Sequence, residues 1–291
     1  ASDVYKRQGE SISRSRNEDL DCPHDLVNMD SVMTVQHLFN HTAGFYYALT
    51  SSKCLNEQIG SNKLLQAESG NQLINLLSNL PLIQHPGETY FYGFNTSVLG
   101  FLLERVMGTS LSQIFIDRIG KPAKLNGLAY TKPKGIELLP TFTGRDGNLR
   151  EIMDGELDIF GGEVPNYSRD SKLFLGGEGM LGTADGYIRF MQLLFFNKGN
   201  TFLKEETIQK MSSRPNVEEN NYGYNTGFGM YLTSQNHAFE KDILRVGGYE
   251  KTKCWVDRKN NLIGTLFSQA NETQDSDCLL YTSPSPRDFT E

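Results

Sequence analysis

Tryptophan occurs once and cysteine four times in 291 residues. Cys22, Cys54, Cys254 and Cys278 show no CxxC spacing, which argues against a structural zinc site and against a disulfide scaffold. Long apolar runs are missing too. Leu193-Leu194-Phe195-Phe196 is among the longest, far short of the roughly 18 residues of a membrane span. Positive charge is in deficit: 28 Lys and Arg stand against 35 Asp and Glu, giving a net charge of -7 and a pI near 5.4. That balance argues against a nucleic-acid groove as the main function. No signal-peptide pattern opens the chain, and it begins with Ala1 rather than Met, so the natural start is expected to lie elsewhere. What is present suits a globular fold. Hydrophobic residues make up 38% and charged residues 22%, and the length allows one large domain or two small ones around a sizeable core.

The two ends read as foreign. Asp3–Gln8 and Cys278–Ser283 back-translate to strings that are inverse complements apart from one base at each end. The shared string resembles the transposase adaptor of sequencing libraries. Residues 1–8 and 278–291 are therefore expected to be adaptor-derived, and Gly9–Asp277 to be a gene fragment truncated at both ends.

Within that segment, helix signals come first. Thr34 can cap a short helix through Leu38, with Gly44 ending the turn. Ser69 opens a second, where Leu73, Leu76, Leu77 and Leu80 repeat at i, i+3, i+4, i+7 before Pro81. A third is predicted from about Thr96 to Met107, with Val98, Leu99, Leu102, Leu103 and Val106 on one face. Ser110 caps a fourth, ending at Gly120, with Leu111, Ile114, Phe115 and Ile119 inward. Residues 131–170 are rich in Gly, Pro and charge and read as irregular. Thr183 caps a fifth helix to about Phe196. Short β-branched or aromatic runs then predict strands at Phe228–Thr233, Ile243–Tyr249, Thr252–Asp257 and Leu262–Ser268, with a turn at Arg258–Asn261. Helices followed by an antiparallel meander imply an α+β layer fold.

Several motifs carry little chemistry. Gly177-Glu178-Gly179-Met180-Leu181-Gly182 matches GxGxxG, but only Lys172–Leu175 could supply the preceding strand, and no βαβ unit surrounds it. Glycines that let backbone approach a pocket are the better reading. His37 and His41 share a helix face, yet no HExxH or third ligand accompanies them, so both read as structural. Asn40, Asn95, Asn166 and Asn271 open glycosylation sequons, which matter only in a secreted chain. GxSxG is absent, and no Ser stands three residues before any Lys, so SxxK is absent as well.

Four segments nevertheless line up with one family. Thr34-Val35-Gln36-His37-Leu38-Phe39-Asn40-His41-Thr42-Ala43-Gly44 resembles T-[VI]-x-x-L-L-x-H-T-[SA]-G of the β-lactamase-related serine hydrolases. That family includes class C β-lactamases, DD-peptidases and carboxylesterases. Pro86-Gly87, Tyr92, Val98-Leu99-Gly100 and Glu104 are similar to its P-G-x-x-x-x-Y-S-x…LG…E stretch. Gly176–Tyr187 resembles G-G-G-G-L-x-S-T-A-x-D-Y. Val246-Gly247-Gly248, Trp255-Val256-Asp257 and Ser268-Gln269 resemble W-G-G…F-W-V-D-P…T-Q. The matches run from Thr34 to Gln269 in the family's order.

The resemblance implies a β-lactamase/transpeptidase-like α+β fold: an antiparallel sheet flanked by helices plus a mainly helical region. It also implies that the N-terminal strands and nucleophile helix lie outside this chain, leaving an edge strand bare. The implied reaction is acyl transfer through an acyl-enzyme: a serine in SxxK attacks an ester or amide, and the lysine and a tyrosine move protons. A tyrosine at its ordinary pKa of about 10 is a poor base at pH 7, so such a site has to stabilise phenolate with nearby cations. By motif, Tyr92 is the catalytic proton-transfer residue. Gly247, Gly248 and Tyr249 form the pocket-edge strand, with the Tyr249 N–H as oxyanion donor. Phe94, Gly177 and Gly179 line the pocket. No metal or cofactor is implied. The implied partner is a small-molecule ester, amide or peptide, with no nucleic acid and no membrane span.

Three departures stand out. The serine–lysine segment is expected before Thr34 and is not in the chain, so the chain as given is expected to be inactive. Phe94 stands where Y-x-N members carry Asn, although Asn95 is adjacent. Val246 stands where relatives carry Lys, His or Trp. The last two favour ester or peptide hydrolysis over penicillin turnover. They also leave open a non-catalytic binding or scaffold protein on the same fold. The upstream sequence discriminates: SxxK there favours the enzyme.

Overall fold

The computed structural model describes residues 10–12, 26–48, 50, 52–62, 64, 67–143, 148–152, 172–196, 203–212, 224–227, 230–233, 243–248 and 250–271. Its first half is helical. Helix α1 (Val35–Phe39) opens with a reciprocal capping box, in which the Thr34 side chain accepts from the His37 N–H and His37 Nδ1 accepts from the Thr34 N–H. Helix α2 spans Lys53–Asn62. Helix α3 (Gly70–Leu77) is capped by the Ser69 hydroxyl. Helix α4 (Asn95–Met107) ends on Gly108, which takes the left-handed conformation, and its N–H bonds back to Glu104. Helix α5 (Leu111–Phe115) is capped by Ser110 and widens into a π-helical turn at Ile116–Gly120. Helix α6 (Ala184–Phe195) is capped by Thr183, and helix α7 is Glu205–Met211.

The apolar faces of α1, α3 and α4 meet in one core. Leu38, Leu73, Leu77, Val98 and Leu99 converge there on Phe45, Tyr46, Tyr47 and Phe94. Each fully buried Leu or Phe contributes on the order of 2 kcal/mol. The expected inner face of α4 is corrected at its second half. Phe101 is buried, whereas Leu103 and Val106 are exposed, because the core ends before the helix does.

The second half is a five-stranded antiparallel meander. Strands β1 (Tyr224–Gly227), β2 (Met230–Thr233), β3 (Leu244–Gly247), β4 (Lys253–Asp257) and β5 (Leu262–Leu266) lie in chain order across the sheet. Among the described residues its edges are β1 and β5. Burial alternates along β4, with Cys254 and Val256 inward. They pack with Leu244 and Met191, against which Tyr187 and Phe190 of α6 close. Trp255 is paired with Gly264, and a Cβ at Gly264 would strike the indole, so the missing side chain makes room for the ring. The predicted turn at Arg258–Asn261 is present, with the Asp257 carboxylate accepting the Asn260 N–H at 3.0 Å.

The structure adds elements and a bonded cysteine to the sequence reading, and agrees with it on the glycine motif. Strand β1 and helices α2 and α7 were not foreseen in the sequence. Among the described cysteines, Cys54 is disulfide-bonded, whereas Cys254 is free and buried. Lys172–Leu175 is not a strand, so the glycine motif after it has no βαβ setting.

Candidate active site

Tyr92 is held from both sides of its backbone. The neighbouring Phe91 N–H bonds to the His41 carbonyl at 2.7 Å. On the other side Gly93 lies directly on the Phe45–Tyr46 backbone, where any Cβ would collide with the Phe45 carbonyl. Upstream, the Pro86-Gly87 turn is anchored by the Gly87 N–H on the Thr42 carbonyl at 2.8 Å, with Gly87 at φ 96°. The two family-like segments thus pair backbone to backbone, and Tyr92 emerges with about half its surface exposed at 46%.

Its ring meets two others. His41 stacks on it with centroids 5.1 Å apart, and Tyr47 meets it edge-on at 5.2 Å. Tyr47 also meets Phe94 edge-on at 4.5 Å. Phe94 itself is fully buried, so the structure places it in the core behind Tyr47. His41 is tied to the first turn of α4, with Asn95 Nδ2 3.2 Å from its Nδ1 and Thr96 Oγ1 3.4 Å from its Nε2. Burial pushes its pKa down from 6.5 to about 4. His37 closes the α1 capping box and touches the Gly87 turn; both histidines have structural partners.

The Gly176–Gly179 turn rests on the same end of α4. A Cβ at Gly176 would strike the Thr96 carbonyl, and one at Gly177 would lie 3.4 Å from Ser97 Oγ and 3.5 Å from the Tyr47 hydroxyl. Gly177 is exposed, whereas Gly179 is buried and closes the turn with its N–H on the Leu175 carbonyl at 3.0 Å. Between them Glu178 accepts the Ser97 hydroxyl at 2.9 Å and the Tyr47 hydroxyl at 3.3 Å. Burial raises this carboxyl above the ordinary glutamate value. The two hydroxyls oppose the rise, and the charge of Glu250 adds to it.

Glu250 belongs to the turn between β3 and β4. Gly247 and Gly248 are both exposed there, and the Gly248 N–H bonds to the Thr252 carbonyl at 2.8 Å. Tyr249 lies outside the described residues. Tyr92, Gly177 and Gly179 are thus joined through Tyr47 and Glu178, while the described contacts of Gly247 and Gly248 are with Thr252. Among the described residues no group of three or more His, Cys, Asp or Glu is placed to hold a metal ion, and no helix is long and apolar enough to cross a membrane.

Sequence reasoning did not single out Tyr47, Ser97 or Glu178. Tyr47 and Glu178 are 131 residues apart, and the one available signal was Glu178 itself, standing where the resembled G-G-G-G segment has no side chain.

Helices on one side and an antiparallel meander on the other define the β-lactamase/transpeptidase fold. The solved structure of EstCE1, a hydrolase with promiscuous acyltransferase activity, superposes with a TM-score of 0.72 at 21% identity, over 93% of this chain and 72% of that one. Simvastatin synthase from Aspergillus terreus superposes at 0.68 and 20% identity, over 93% and 70%. The family model described as Beta-lactamase matches residues 25–283, and the chain belongs to that family. Among curated relatives, the ML-236A carboxylate methylbutanoyltransferase of Penicillium citrinum is 25% identical over 64% of this chain and 42% of its own length. The lovastatin esterase of Penicillium rubens is 24% identical over 85% and 66%. The chain spans about two-fifths of the length of the acyltransferases it matches.

Proposed function

We propose that this chain is part of a serine hydrolase that acts on a small-molecule ester or amide through an acyl-enzyme, and that the chain as given does not turn over. A serine Oγ attacks the carbonyl carbon, the alcohol or amine leaves with a proton, and water takes the acyl group in a second step. Tyr92 moves the proton. The exposed Gly247–Gly248 edge and the Gly177 turn border the acyl pocket, with the Tyr249 N–H as one oxyanion donor. Esterase and acyltransferase relatives support a carbonyl substrate of this class.

The observation that carries the reading is the setting of Tyr92. A half-exposed phenol on a backbone pinned at both neighbours, with two rings packed against it, is a group held for contact with something outside the core. The nucleophile has no counterpart in this sequence, where no Ser stands three residues before a Lys. Losing the nucleophile of such a site removes on the order of 10⁶ in turnover.

The test uses nitrocefin and short-chain p-nitrophenyl esters. The chain as given should stay at background. A longer protein that restores an SxxK segment upstream should hydrolyse the esters. Turnover by the chain alone, abolished by a substitution within Gly9–Asp277, would overturn the assignment of the nucleophile. Absence of SxxK in the upstream gene would leave a binding or scaffold role on this fold.

A further inference from the structure

We propose that Glu178 is a positioning residue for Tyr92, acting through the hydroxyl and ring of Tyr47, in the acyl-transfer site on whose reading the proposal rests. The resembled segment carries four glycines where this chain has Gly176-Gly177-Glu178-Gly179. This chain therefore adds a carboxyl to a turn that otherwise has only backbone. The carboxyl does not point away unused. One oxygen accepts the Ser97 hydroxyl from the first turn of α4, and the other accepts the Tyr47 hydroxyl.

The geometry gives this clamp a direction. Tyr47 is buried, and its ring edge contacts both Tyr92 and Phe94. Phe94 is fixed in the core, so it serves as a stop on one side. Glu178 fixes the hydroxyl end of the same ring. Tyr92 then meets a wall whose far edge cannot swing. A phenol that must meet a reacting atom within a fraction of an ångström depends on such walls, because small misplacements cost rate steeply. His41 stacks on the same Tyr92 ring.

The test places a ring-fluorinated tyrosine at position 92 alone and records its fluorine resonance in this chain. Glu178→Ala and Tyr47→Phe should each shift or broaden that resonance, and the double variant should move it no further than Tyr47→Phe does. Glu178→Gln keeps an acceptor oxygen and should return the resonance most of the way. Glu178→Met keeps the bulk without the acceptor, and is read in the same way if the alanine variant does not fold. An unmoved resonance in both Ala and Met variants, or additive shifts in the double variant, overturns the proposal.

In a longer protein carrying the serine–lysine segment, Glu178→Ala should lower kcat by about tenfold to a hundredfold with little change in KM. The two failures are separable. Full turnover by Tyr92→Phe would remove the proton-transfer role of Tyr92 and leave the resonance coupling standing; no turnover at all by the longer protein would remove the acyl-transfer reading. An unmoved resonance would remove the role of Glu178 and leave that reading standing.

Discussion

The imidazole of His41 lies 5.1 Å from the ring of Tyr92, in a stacked arrangement, with hydrogen-bonding groups at both of its nitrogens. Asn95 Nδ2 is a donor, so Nδ1 accepts, and the proton sits on Nε2 facing Thr96 Oγ1. A second proton on Nδ1 would confront the Asn95 amide. The neutral ring is therefore the form the fold requires, in keeping with a pKa lowered by burial to about 4.

This has a consequence for stability. The unfolded chain takes up the His41 proton near 6.5 and the folded chain only near 4. Between these values the unfolded state binds more protons, so stability falls as pH drops from 6.5 toward 4. The loss is on the order of 3 kcal/mol when complete. Glu178 and Glu250 have raised pKa values and act with the opposite sign in an overlapping window. The measure is therefore the difference between the original chain and His41→Gln in urea unfolding at pH 7 and pH 4.5. The variant should show the shallower loss. Equal slopes would mean that His41 is not held neutral.

Two glycines of the candidate site should respond differently to alanine. At Gly93 the new Cβ would press into the Phe45 carbonyl and the Tyr46 Cα, which are backbone atoms with nowhere to go. Gly93→Ala should cost about 1–3 kcal/mol. At Gly247 the nearest atom to a new Cβ is the Thr252 carbonyl at 3.9 Å, an ordinary contact. Gly247→Ala should stay within about 0.5 kcal/mol of the original chain. Thermal melts of the two variants side by side decide the point.

The parts of the fold that were legible share a cause. Helices α3, α4 and α5 have capping side chains or stop glycines around a leucine-rich stripe, and tertiary packing uses that stripe as the periodicity suggests. Helix α2 hides its stripe: Leu55 and Ile59 are its buried apolar residues, and Gly60 interrupts it. Helix α7 exposes most of its residues around the buried Ile208. Strand β1 reads Tyr-Asn-Thr-Gly, which announces a turn as readily as a strand. At the candidate site, Tyr92 was singled out by its Pro-Gly and Leu-Gly flanks. Tyr47 was one of 13 tyrosines with no motif around it. Only the fold brings it to a carboxyl far along the chain.

Two of the glycosylation sequons fall on buried asparagines. Asn40 is 4% exposed and Asn95 is fully buried, with its amide committed to His41 and the Phe91 carbonyl. A glycan on either nitrogen needs space the core does not have. Expressed through a secretory pathway, the folded fraction should carry no glycan at Asn40 or Asn95, as read by peptide mass mapping. A glycosylated Asn95 in monodisperse, cooperatively melting protein would contradict the packing around α4.

We propose that residues 1–8 and 278–291 are adaptor-derived and contribute nothing to stability. The family match begins at residue 25 and runs to 283, so it reaches into the second of these segments. If the adaptor reading holds despite that overlap, a chain trimmed to Gly9–Asp277 should melt within about 1–2 °C of the full one, the span of a change near 0.5 kcal/mol. A larger fall would return those residues to the native domain.

The most direct chemical test is Tyr92→Phe. The change removes one oxygen and leaves the ring, so the stack on His41 and the edge contact with Tyr47 remain. With 46% of the residue exposed, the substitution should move the melting temperature little. Turnover should respond differently. In a longer protein that carries the serine–lysine segment, proton transfer at the carbonyl is worth roughly 10²–10⁴ in rate. Because that contribution exists only in the transition state, kcat and kcat/KM should fall together while KM holds. A rise in KM with kcat intact would make Tyr92 a binding wall. Unchanged kinetics would move the proton-transfer role away from Tyr92 altogether.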